Sequence, residues 1–108
     1  MITPYEFEKL KAVKNVDKYI QEIDKKIEEY AEKNMYPWVE IVLEKELSLH
    51  ERNCVAKEYQ MAGWQTVYHH TSSEIGENPG LTTFVFLTEA TEDAFIGCHR
   101  NIGKWRKN

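Results

Sequence analysis

The chain has 108 residues, of which 42% are hydrophobic, 12% aromatic and 30% charged, with a formal net charge of −4. That length suits one domain, which buries roughly 65% of its unfolded surface and folds without staples, and the composition excludes bulk disorder. No apolar run approaches the ~20 residues of a membrane span, and no secretory apolar region follows Met1. Two cysteines, Cys54 and Cys98, make no disulfide framework, so the expected setting is cytoplasmic, with no membrane partner. The charge is unevenly spread. Residues 98–108 carry Arg100, Lys104, Arg106 and Lys107 and no acid, leaving ten bases against 18 acids in residues 1–97, a local −8.

Thr3-Pro4-Tyr5-Glu6 reads as a capping box with proline at the first helical position. This short helix is expected to end near Lys11–Lys14, with Asn15 capping a second, longer one. Val16, Tyr19, Ile20, Ile23, Ile27, Tyr30 and Ala31 then form one apolar stripe. Glu22–Lys26 and Glu29–Lys33 are spaced for i,i+4 pairing, and Asn34 and Pro37 end the helix. Val39, Ile41 and Leu43 alternate with Glu40 and Glu44 as in a strand. Ser48-Leu49-His50-Glu51 is a second capping box, opening a helix to about Ala62 that Gly63 closes. Trp64–His70 and Leu81–Leu87 read as strands joined by a long loop. Thr91, Glu92 and Asp93 suggest one more helix start, with Phe95, Cys98, His99, Ile102 and Trp105 on its buried face.

The expected order is α-α-β-α-β-β-α: a single α+β domain with a three-stranded sheet and helices packed on one face. Residues 1–34 form its helical start, 36–88 a βαββ core, and 91–106 a C-terminal helix or tail. The first two strands and the helix between them form a βαβ crossover, and an antiparallel hairpin follows.

Several constellations carry possible chemistry. His69 or His70 near Glu74 would make a general acid or base, although neighbouring strand residues point to opposite faces. The plainer alternative is a solvated strand end, with Thr71, Ser72 and Ser73 satisfying loop backbone groups. His50 and Cys54, one turn apart, together with Cys98 and His99 have the chemistry of a zinc site but lack compact ligand pairs. No nucleotide-binding fingerprint is present, and no cofactor is expected. Arg100, Lys104, Trp105, Arg106 and Lys107 combine charge with an aromatic, so nucleic acid is a possible partner only through the basic C-terminus. The plainer alternative there is bases complementing the end of a terminal helix. Aromatics are the stronger lead: Trp64, Tyr68, His70, Phe84 and Phe86 are candidates for an outer sheet face that contacts a partner protein or a second copy, the equal alternative being that the terminal helix covers it.

Gly63-Trp64, His69 to Glu74 and Gly80-Leu81-Thr82-Thr83-Phe84, behind a Lys/Glu-rich helical start, resemble a pattern in small early proteins of tailed, T-even-type phages. The resemblance covers about residues 1–88 and omits Gly97–Asn108. It implies a viral accessory protein in the infected bacterial cytoplasm, of a kind that binds and redirects a host protein, and it carries over no catalytic or binding residues. The leading expectation is therefore a non-enzymatic protein-binding module. The alternatives are a small hydrolase or nuclease using His69 or His70 with Glu74, and a nucleotide-binding sponge built on Arg100 or Lys104.

Overall fold

The computed structural model describes residues 1–33, 37–73, 76, 80–98 and 105–107, with only the backbone described at Glu8, Ala12 and Val13. The chain begins with α1 (Pro4–Lys33), a single 30-residue helix where two had been expected. Its N-terminal box forms as read, with the Glu6 amide donating to Thr3 Oγ1 at 3.2 Å and the Thr3 amide to Glu6 Oε2 at 3.4 Å. Neither glycine nor proline interrupts Lys11–Asn15, so the helix has no reason to break there. Asn15 hydrogen-bonds Glu51 instead of capping. Val16 and Ile23 are buried at the centre of the predicted stripe, and Tyr19, Ile20, Ile27 and Tyr30 pack around them. Glu22 reaches Lys45 at 2.7 Å rather than Lys26.

After β1 (Val39–Leu43), the helix α2 (Leu49–Met61) opens on Ser48 with both halves of the capping box formed. It closes as predicted: Gly63, at φ +119°, donates to Gln60 O, and Trp64 donates to Tyr59 O. This is a Schellman closure that a residue with Cβ would strain. The strands β2 (Thr66–Ser72) and β3 (Leu81–Leu87) pair in register from Thr66↔Leu87 to Ser72↔Leu81. The helix α3 (Glu89–Cys98) starts at the Thr88 turn, two residues before Thr91, because the Thr91 hydroxyl accepts from the Thr88 amide at 2.9 Å. A fourth strand, β4 (Arg106–Lys107), pairs antiparallel with β2.

The sheet order is β1-β3-β2-β4, with antiparallel neighbours throughout. The β1–α2–β2 crossover therefore joins two like-directed strands with β3 inserted between them. Three strands with helices on one face were expected, whereas four strands with helices on both faces are found. On one face α1 and α2 cover Ile41, Leu43, Val67, Phe84 and Phe86. On the other, Phe95 of α3 and Trp105 cover Tyr68, Val85 and Leu87, with Trp38 beside them. Fully burying one such large apolar side chain stabilises the fold by about 1.5–3 kcal/mol relative to leaving it exposed. The two aromatic clusters thus hold a helix on each side of the sheet.

Candidate binding site

Strand alternation decides where the two neighbouring histidines go. Opposite partners share a face, so Val67, His69 and Thr71 point with Phe86, Phe84 and Thr82 towards α2, while Tyr68 and His70 point towards α3. His69 is fully buried, and His70 is half-buried with its ring 4.3 Å from Trp105, edge-on. They do not converge, and Glu74 lies outside the described residues.

The capping box at Ser48 fixes the start of α2 and with it Arg52, four residues on. Arg52 Nε donates to His69 Nδ1 at 3.1 Å, and its Nη1 donates to Leu47 O at 3.0 Å and to Thr71 Oγ1 at 2.8 Å. Arginine only donates, so His69 Nδ1 is the acceptor and the ring is the neutral tautomer protonated at Nε2, a tautomer assigned from the hydrogen bond. The network continues through Thr71 to Thr82, 3.3 Å away, whose hydroxyl donates to Lys45 O at 2.6 Å and accepts from the Leu47 amide at 3.0 Å. The β1–α2 loop is thereby fastened to the sheet and the Arg52 guanidinium is held in one orientation.

The three acceptors of Arg52 among the described residues are neutral. Among the described residues no carboxylate pairs with it, and its Nη2 makes no protein hydrogen bond. Burial, and then the nearby charge of Arg106, hold the guanidinium below the usual arginine range. Arg106 sits opposite His69 across the β2–β4 ladder, so its exposed side chain rises on the Arg52 face. Lys107, the next residue, points to the other face. There it meets Glu92 Oε1 at 3.4 Å, which also accepts from Thr66 Oγ1 at 3.0 Å. Arg106 and Lys107 therefore lie on a strand and point to its two faces: Lys107 is ion-paired, while Arg106 has no ion pair among the described residues and stands beside Arg52.

The remaining sequence candidates are dispersed. Phe84 and Phe86 are fully buried on the α1/α2 face, Tyr68 is buried on the opposite face, and Trp64 is half-buried 5.7 Å from Phe86. The expected exposed aromatic face is thus interior, because helices cover both sides. His50 lies against the Tyr5 ring at 5.8 Å, Cys54 is half-buried and Cys98 exposed, while His99, Arg100 and Lys104 lie outside the described residues. Among the described residues no three His, Cys, Asp or Glu side chains gather as metal ligands. A cleft of about 460 Å³ between α1 and α2 is lined by Val16, Asp17, Cys54, Lys57, Glu58 and Met61, with both charge signs on its walls. Arg52 went unread in the sequence. The available signal was a base at the start of a capped helix, where the macrodipole disfavours positive charge.

No protein-family model, curated protein or solved structure matches this chain. Fold and site together define a small α+β protein with two arginines on one face at the edge of its sheet, matched by no carboxylate among the described residues. No helix of the described residues is long and apolar enough to cross a membrane.

Proposed function

We propose that the protein is a non-enzymatic binding module that engages an anionic group of a partner protein at the edge formed by Arg52 and Arg106. The observation that carries this reading is the half-buried Arg52 guanidinium, oriented by three neutral acceptors and, among the described residues, matched by no carboxylate. A partly desolvated cation is stabilised by a charge-assisted bond to an anion, which a partner can bring. Apolar side chains near the start of α2 suit a protein partner: Leu49 is 43% exposed one turn before Arg52, and Tyr5, against His50, is 64% exposed. The phage resemblance would make that partner a host protein. A hydrolase using His69 fits less well, since its Nδ1 lone pair already accepts from Arg52 and its ring is sealed from solvent.

The test is capture from bacterial lysate followed by affinity measurement with the purified partner. Arg106→Glu should weaken binding by at least tenfold and flatten its salt dependence, while Lys25→Glu on the exposed side of α1 should change neither. Equal affinity of wild type and Arg106→Glu would refute the assignment.

A further inference from the structure

We infer that the anion taken between Arg52 and Arg106 is a phosphate monoester, such as a phosphorylated side chain of the partner, rather than a carboxylate. This inference rests on the binding reading above and specifies its ligand. Two guanidinium groups share one face with no acid between them among the described residues. A carboxylate would neutralise one of them and leave the other. A phosphate monoester carries a charge of about −1.5 to −2 at neutral pH and has three acceptor oxygens, enough for both arginines at once. The donors also fit. Among the described residues Arg52 has only its Nη2 protons uncommitted, and these can donate to one phosphate oxygen while the guanidinium of Arg106 contacts the others. Its rotamer is already held by His69, Leu47 and Thr71, so little further ordering accompanies binding. Arg106, on the outermost strand, stays free to close over the ligand from the solvent side.

The neighbouring bases sharpen the assignment. Lys107 is engaged by Glu92 on the opposite face, and Lys45 by Glu22. Among the described bases of β4 and the β1–α2 loop, Lys107 and Lys45 are thus ion-paired, whereas Arg106 has no ion pair. A grouping of two arginines suits a compact, doubly charged group, whereas an extended polyanion backbone is tracked by many singly matched charges.

Calorimetric titration at pH 7.5 and moderate salt tests this with four probes: a phosphoserine peptide, the same peptide with aspartate in place of phosphoserine, a nucleoside 5′-monophosphate, and its 3′,5′-cyclic diester. The two monoesters should bind at least tenfold more tightly than the aspartate peptide and the singly charged cyclic diester. Arg106→Gln should reduce monoester affinity about tenfold while leaving the thermal unfolding curve unchanged. Tighter binding of the phosphopeptide than of the free nucleotide assigns the phosphate to a protein, and the reverse order assigns it to a small molecule. If the aspartate peptide binds as tightly as the phosphopeptide, the monoester assignment is overturned and the anion-binding edge stands. If no probe binds, or if Arg106→Gln binds like wild type, both are overturned.

Discussion

Replacing Arg52 by methionine separates the structural role of this side chain from its binding role. The substitution keeps most of the aliphatic stem and removes three hydrogen bonds, to His69 Nδ1, Leu47 O and Thr71 Oγ1. Leu47 O is not left bare, because Thr71 Oγ1 lies 3.4 Å from it and can donate. The buried His69 Nδ1 is the acceptor that loses its partner, at a cost of about 1–3 kcal/mol. Relief of a partly desolvated cation offsets some of the lost charge-assisted bonding. The expected net destabilisation is about 2 kcal/mol, equivalent to a fall of about 10 °C in Tm for a domain of this size. Urea and thermal unfolding followed by circular dichroism would measure it, with Arg106→Gln as the companion substitution. Arg106→Gln should leave stability within about 0.5 kcal/mol of wild type, since its side chain is exposed and makes no ion pair among the described residues. If Arg52→Met unfolds with the wild-type midpoint, the guanidinium does not fasten the β1–α2 loop to the sheet, and the preoriented site loses its basis.

Phe95→Ala should destabilise the protein by about 3–5 kcal/mol, because the fully buried ring meets Trp38, Tyr68 and Trp105 at centroid distances of 5.5, 5.0 and 5.6 Å; near-ultraviolet circular dichroism should lose its aromatic signal at a lower temperature than in wild type. Tyr19 is raised to about 12 by burial and then by its hydrogen bond to Glu51, and Tyr59 is raised further by burial and its bond to Asp24. Both phenols favour the protonated form when folded, so stability should hold below pH 10 and fall as pH rises towards 12, and Tyr59→Phe should reduce that loss in alkaline urea titrations. Burial opposes ionisation of Glu51, but bonds from Ser48, Tyr19 and Asn15 outweigh it and hold its carboxyl below the usual range. Its contribution is therefore present above the ordinary carboxylate range and lost as pH falls through the lowered value, and Glu51→Gln should flatten the acid limb of the stability curve. Ser48→Ala should cost about 1 kcal/mol by removing the N-cap acceptor, measured as a shifted urea midpoint at unchanged m-value.

Local chemistry was legible in the sequence wherever a few adjacent residues decide it. The Ser48 box and Gly63 mark both ends of α2 because capping involves groups at most five residues apart. Alternation placed β1, and richness in aromatic and β-branched residues placed β2 and β3, which are buried on both faces. The break proposed before Asn15 failed because asparagine serves as a cap only where the preceding backbone leaves the helix, and nothing in Lys11–Lys14 makes it leave. β4 was missed because two residues carry no periodicity. Their strand state comes from pairing with β2, some 38 positions earlier in the chain. The same distinction governs the site. His69 and His70 stand out as residues, yet which one is buried depends on pairing with β3, and the orientation of Arg52 depends on acceptors up to 19 residues away. Whether the second aromatic face meets a partner or the terminal helix was open in the sequence, because it depends on α3 and Trp105 folding back over Tyr68 and Val85, a contact between distant segments.

The most direct test of the arginine-pair account is a two-dimensional NMR titration of the guanidinium Nε–H resonances with a phosphoserine peptide. The Nε–H signals of Arg52 and Arg106 should shift together and saturate at one equivalent, with the backbone amide of Lys107 perturbed far less. Unmoved Arg52 and Arg106 signals at saturating peptide, or shifts spread evenly over the surface bases, would contradict it.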